Sequence, residues 1–362
     1  MRLLPDEDER EFASTVRRLL LAGSDQASLR ASLARAGVLG LVLPEGHGGS
    51  GARLTDLGSF YVEAGRGLCP LSVHATIAAG LAIDALGTQE QHAALLPDLA
   101  AGRACATTAL SSPVDAAVVT PALRAEPTRS CWTLSGHVDF VLGAGSADYV
   151  VVSAKETAGE TGGGRTLVFV VPMNIESVRA EPLTVMGSTD VARLHFDGVV
   201  VEERRALGAD RSVPDERLHR LANTAMALLS LDLVGVGEAA LQRSVDHTLQ
   251  RQQFGRPIAS FQAAQHLVAN MHIALAAARL AAWAAVSLLD EGHLATRQTA
   301  VARMHASTAA KLATLDAHQL HGGIGYVVDT DLHRYSERAR VLSTLGGGAD
   351  IAANWLEEAQ SR

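Results

Sequence analysis

Residues 251–265 read RQQFGRPIASFQAAQ. Gly255 and Pro257 interrupt the helical spacing of apolar residues that runs on both sides of this stretch. FGRPIAS is thus a connection between two helices. Working outward, apolar residues recur three or four apart over 215–251, 260–291, 295–321 and 331–361. The other separators, DEGH and GGIGYVVD, are also short. Four long helices on short connections predict an antiparallel four-helix bundle over residues 205–362.

The period changes upstream. CWTLSG, DYVVVSAK, TLVFVVP and RLHFDGVVV are rich in β-branched residues and punctuated by Gly and Asp, which predicts strands over residues 105–204. ETAGETGGGRT between two of them reads as an exposed, hairpin-like loop. Residues 1–104 return to helical spacing in LTDLGSFYVEAGRG, TIAAGLAIDALG and QEQHAALLPDLAAGR. The predicted class is mostly α with a β domain in the middle.

Composition narrows the function. Hydrophobic residues make up 48% of the 362-residue chain and aromatics only 4%, so Ala, Leu and Val must build the core. A formal net charge of −8 argues against a nucleic-acid partner. Cys69, Cys105 and Cys131 are scattered, with no CxxC or His spacing for a metal and no disulfide framework. That pattern, with no apolar leader in MRLLPDEDER, gives the cytoplasm as the expected location. Ser, Asp, Gln, His and Arg interrupt every apolar run, so no membrane span is expected. The acidic run Asp6, Glu7, Asp8, Glu9 is expected to be a solvated first helical turn.

LVGVGEAAL offers Gly235 and Gly237 in a spacing that imitates a dinucleotide fingerprint. Ala222, Ala225, Leu229, Leu233, Val236 and Ala240 carry one helical face straight through those glycines. A continuous helix, its glycines serving close packing, is therefore expected instead of a strand, turn and helix.

The segments RQQFGRPIASFQAAQ and QLHGGIGY (319–326) resemble signature segments of the acyl-CoA dehydrogenase family. LGTQEQHAALLPDLAAGR, WTLSGHVDFV, MGSTDVARLHFDGVVV and HRYSERARVLSTLGGGADI follow in the family's order, so the resemblance covers nearly the whole chain. It implies an N-terminal helical domain, a middle β-barrel and a C-terminal four-helix bundle. It implies FAD, an acyl-CoA thioester, and a carboxylate that removes the α-proton while the flavin takes the β-hydride. In that family the FAD lies across a subunit interface, so the chain contributes two half-sites.

The half offered to a neighbour matches the family pattern. Arg251 stands where the family pairs an arginine with the pyrophosphate, and its planar donors suit phosphate oxygens. Phe254 offers an apolar wall, Gln253 and Gln262 offer polar contacts, and Gln319 with Gly322 and Gly323 marks the close backbone approach. The half a subunit keeps departs from it. Ser111, Ser112 and Pro113 replace a Thr-Glu-Pro run. Phe140, Val141 and Leu142 replace Trp-Ile-Thr; Phe140 can still stack, but Leu142 has no donor for flavin N5.

The usual base is absent. The family's Glu before the last helix falls at Gly346, and its alternative place on the first bundle helix falls at Ala225, beside Met226. Glycine and alanine cannot accept a proton. No P-loop lysine follows the glycine run, so it is not a phosphate loop. Asp350 is the nearest carboxylate in sequence, and His321 and His333 are the other titratable groups considered.

Three readings follow from the resemblance. The chain is the base-lacking subunit of an α2β2 acyl-CoA dehydrogenase, of the kind linked to sterol side chains, and completes a Glu-bearing partner's FAD site. Alternatively it is a homo-oligomeric dehydrogenase with a displaced base such as Asp350. The third is a non-enzymatic binding or structural protein on this scaffold.

Overall fold

A computed structural model describes residues 7–22, 25–157, 164–188, 190–209 and 211–360. Most of the ETAGETGGGRT loop, residues 158–163, and the start of the acidic run lie outside the described residues. Five helices come first: α1 (Glu7–Leu21), α2 (Gln26–Arg35), α3 (Leu54–Arg66), α4 (Leu71–Leu86) and α5 (Gln89–Ala100). Seven strands follow: β1 (Ala106–Ala109), β2 (Leu123–Pro127), β3 (Cys131–Leu142), β4 (Tyr149–Glu156), β5 (Thr166–Pro172), β6 (Val178–Pro182) and β7 (Val191–Glu202). The carboxy-terminal part comprises α6 (Asp215–Gln250), the small strands β8 (Gln252–Gln253) and β9 (Arg256–Pro257), then α7 (Gln262–Asp290), α8 (Thr296–His321), α9 (Leu332–Thr344) and α10 (Ala349–Gln360). This is the helical, β, helical layout expected from the periodicity.

The chain divides into two compact units. One comprises Gly23–Leu57 and Pro70–Ala222; the other comprises Met1–Ala22, Gly58–Cys69 and Asn223–Arg362.

In the first unit the sheet runs β1-β4-β2-β3-β7-β6, with β5 on the other edge of β4. β4 and β5 are nearly all apolar because both their faces are covered. Val150, Val152, Phe169 and Val171 join one core with Leu134, Leu194 and Phe196. Val151, Val168 and Val170 face the other way, against Ala79, Ile83, Leu86, Leu96 and Leu99 of α4 and α5. The capping box at Thr88 and Gln91 fixes the start of α5. The Gln91 amide then also donates to the carbonyls of Arg204 and Ala206.

In the second unit α8 packs against α7, α9 and α10. α6 passes unbroken through Gly235 and Gly237, as the apolar face predicted. A Cβ on Gly235 would stand 2.0 Å from the Val62 carbonyl oxygen, and one on Gly237 2.3 Å from Leu275 Cδ2. The helix accepts glycine's propensity cost to let neighbours come this close. Charge is paired in a chain: Glu63 receives Arg17 and Arg66, and Glu238 receives Arg66 and Arg279. Asp232, wholly buried, accepts two bonds from Arg338 at 3.1 and 2.6 Å.

Three expectations need correction. Glu9, in the acidic run expected to be solvated, is buried at 4% exposure. The segment 331–361 is two helices, because Gly346 and Gly347 take φ of 68° and 103° and end α9 in a turn. α6 and α7 are also each long and apolar enough to cross a membrane by length and composition. Their leucine, valine and alanine content raises the mean hydropathy despite the polar interruptions. The most apolar window of α6 is 78% buried within the structure and that of α7 44%.

Candidate functional site

The stretch 251–265 folds as a hairpin at the end of α6. Gln253 pairs with Arg256 and Gln252 with Pro257, leaving Phe254 and Gly255 as the two-residue loop. Both have positive φ, 55° and 76°, as a type I′ hairpin turn requires. Phenylalanine is a costly choice there, since its Cβ crowds the backbone. Phe254 is also 91% exposed. Its ring meets Phe261 edge-on at 6.1 Å, and the Arg256 guanidinium lies 4.2 Å from the Phe261 ring centre.

Beside the hairpin is a groove of about 570 Å³. Arg251, Gln253, Gln319, Gly322 and Gly323 line it, as do His247, Ile258, Phe261 and His321. Five residues singled out from the sequence for cofactor binding, and His321 with them, thus share one surface. Phe254 stands at the hairpin tip and Gln262 opens α7 as an exposed residue; neither lines the groove. The Arg251 side chain is exposed and has no acidic partner among the described residues. No carboxylate lines the groove at all.

The glycines fit a bulky ligand. Gly322, the C-cap of α8, has φ 61° and ψ −143°, a region closed to side chains. A Cβ on Gly322 or Gly323 would meet no atom within 4 Å, so these are not packing glycines like Gly235. They leave backbone open next to a free arginine, which suits a phosphate-bearing cofactor half.

His247 and His321 are the residues that sequence reasoning underused. Their rings stack 4.4 Å apart, 20° from parallel. Burial, His321 and Arg251 together hold the His247 imidazole below its ordinary range. No sequence spacing links residue 247 to residue 321, so only the fold could pair them.

The other half-site, in the β-rich unit, is built differently. Phe140 lies in the irregular stretch of β3 where the pairing with β7 shifts between Val138 and Val141. Its φ is 53° and it is 44% exposed, so it again presents a strained aromatic face. Next to it, Asp139 is held by Arg193. The carbonyl of Leu142 accepts from the Thr107 hydroxyl at 2.6 Å, which fixes the strand end, while the leucine side chain has nothing to donate. Ser111 is half-buried, in a loop closed by the Ser112 amide donating to the Val118 carbonyl.

At the expected base positions, Gly346 is buried, Ala225 half-buried and Met226 buried. The turn is nevertheless held firmly. Arg303, wholly buried, donates to the carbonyls of Leu342, Leu345 and Gly347. Asp350 sits exposed in the first turn of α10, where its charge favours the helix dipole. His333 is half-buried on α9.

Known proteins share this fold. Residues 6–103 match the acyl-CoA dehydrogenase N-terminal domain and residues 218–360 the acyl-CoA dehydrogenase C-terminal domain. The chain belongs to the acyl-CoA dehydrogenase family. That family comprises FAD-dependent oxidoreductases. Among its relatives, acyl-CoA dehydrogenase IpdE2 of Mycobacterium tuberculosis is 30% identical over 354 residues, covering 93% of this chain and 92% of its own. A variant of the Tcur3481–Tcur3483 steroid ACAD superposes with a TM-score of 0.86 at 29% identity, over 98% of both chains. The ChsE4–ChsE5 complex of Mycobacterium tuberculosis shares the fold, with a TM-score of 0.89 at 23% identity over 100% and 99% of the two chains.

Proposed function

We propose that this acyl-CoA dehydrogenase chain is the base-lacking subunit of a hetero-oligomer, of α2β2 type, and that its groove completes the FAD site of a Glu-bearing partner. One contrast carries the reading. The groove around Arg251 is open, free of carboxylates and lined by uncrowded glycines, while Gly346 and Ala225 leave no carboxylate at either expected base position.

When bound, FAD supplies the acceptor for the β-hydride of an acyl-CoA thioester. This chain's residues have binding roles. Arg251 neutralises the pyrophosphate, Gln253 and Gln319 offer amides to the polar part of the cofactor, and Gly322 and Gly323 give way to it. Phe254 reaches outward as an apolar contact. Ser111 and Phe140 belong to the half-site that this chain keeps, which lacks the donor Leu142 replaces. The α-proton is left to the partner's carboxylate. The steroid ACAD neighbour makes a steroid-derived acyl-CoA the first substrate class to try. A cytoplasmic setting fits the three free thiols.

The test is flavin content. The complex with the Glu-bearing partner should retain about one FAD per site, and Arg251→Ala should strip it while leaving the subunits associated. Unchanged flavin in the Arg251→Ala complex would sink the proposal.

A further inference from the structure

The groove holds a titratable feature that the FAD reading does not use. His247 projects from the last turn of α6 and His321 ends α8; their rings stack at 4.4 Å, and neither is bonded to an acid among the described residues. His321 Nδ1 lies 2.7 Å from the Ala317 carbonyl oxygen, so that nitrogen carries a proton and donates it. Its Nε2 is then a bare acceptor in the neutral ring and a donor only after taking a second proton. The His247 ring forms no side-chain hydrogen bond among the described residues.

The surroundings are cationic. Arg251 lies just past the end of α6, its amide donating to the His247 carbonyl oxygen at 2.8 Å. The linings from α7 (Ala263, Ala264, Leu267), from the hairpin (Gln253) and from the turn after it (Ile258, Phe261) carry no charge, while the hairpin's Arg256 lies over the Phe261 ring. From α8 the next titratable group is His318, which contacts Ser336 at 2.6 Å and stacks on Tyr326. From α9, His333 and Arg340 bear on His318. The His247 imidazole, partly buried beside a second imidazole and the Arg251 guanidinium, resists protonation while the groove is empty and accepts a proton once an anion compensates the charge.

We propose that the His247–His321 pair is a proton-coupled phosphate contact: a pyrophosphate seated at Arg251 draws a proton onto the stacked rings, which then donate to it. The inference rests on the reading of the groove as the pyrophosphate half of an FAD site. It adds two binding residues and a pH dependence to that site. Proton balance is simple. One proton moves from solvent to the imidazole pair on binding and returns on release, so affinity rises as pH falls.

The experiment is titration calorimetry of the whole chain with ADP-ribose. Its pyrophosphate is a diester and keeps its charge between pH 5.5 and 7.5. Measurements in two non-phosphate buffers of different ionisation enthalpy count the protons exchanged. Net uptake is expected near pH 6, with affinity rising about tenfold from pH 7.5 to 5.5 as one proton is linked. Adenosine, which lacks the pyrophosphate, should show no uptake. His247→Phe keeps a stacking ring and should abolish the uptake and flatten the pH profile; His321→Phe is the second variant should the first not fold. Binding by the wild type without proton uptake, or uptake unchanged in both variants, overturns the proton coupling alone. No binding of ADP-ribose by the wild type overturns the coupling and the groove reading together.

Discussion

The Arg303 guanidinium, with no exposed surface, donates through Nε to the carbonyl oxygen of Gly347 at 3.0 Å. A buried cation is thus spent on holding a turn of glycines. Two further carbonyls, of Leu342 and Leu345, share the same guanidinium, while Nη1 has no partner among the described residues. Burial lowers its pKa to about 10, so it remains charged at neutral pH. Arg303→Met should cost about 3 kcal/mol, since it strands buried carbonyls that nothing else satisfies. Urea denaturation of the isolated chain reads this directly, and a midpoint equal to wild type would contradict it.

The two kinds of glycine give opposite readouts for one substitution. Gly235→Ala drives a Cβ into the Val62 carbonyl and should destabilise by about 3 kcal/mol. Gly323→Ala meets nothing and should stay within about 0.5 kcal/mol of wild type. In the assembled complex, Gly323→Ala should nonetheless lower flavin retention. Thermal melts and flavin absorbance, taken together, separate packing from cofactor approach.

Phe254 has the conformation that asparagine or glycine prefers. Phe254→Asn relieves the strain at φ 55° and should stabilise the isolated chain by about 1 kcal/mol. The same variant should hold less flavin in the complex, because the exposed ring is gone. A gain in stability with no loss of flavin would show that the ring has no outside contact.

Asp350→Asn distinguishes the base-lacking reading from a displaced base. An exposed carboxylate in a first helical turn is worth about 0.5 kcal/mol to α10. Turnover of the complex should therefore be unchanged. Dehydrogenation by the chain alone that disappears in Asp350→Asn would favour the homo-oligomeric enzyme.

The thiols provide a check on burial and pH. Cys69 is wholly buried and its pKa is pushed up to about 12, first by desolvation. Cys105 is also raised by burial, whereas Cys131 is half-exposed. A thiol reagent at pH 8 should label Cys131 first in the native chain and all three cysteines after denaturation. The folded state holds the Cys69 proton above pH 9, where the unfolded thiol releases it. Its contribution to stability is therefore whole below pH 9 and fades as pH climbs toward 12, and Cys69→Ala should flatten that alkaline slope.

The sequence by itself determined the order of elements and the residue types at positions 225 and 346. Period-3.6 and period-2 patterns set the helical, β and helical regions, because burying one face of each element is a local requirement. That neither Gly346 nor Ala225 is a carboxylate is likewise legible, since a residue type either can or cannot accept a proton. Tertiary structure decided the rest. Arg251, Gln319 and the open glycines were each ambiguous alone and became a groove only when the ends of α6 and α8 met. Gly235 and Gly323 are the same letter, yet one is pressed against Val62 and the other faces open space. The stacking of His247 on His321 and the burial of Arg303 against Gly347 join residues 74 and 44 apart in sequence. Contacts of that kind depend on which helix faces pack together, and no periodicity along a single chain records that.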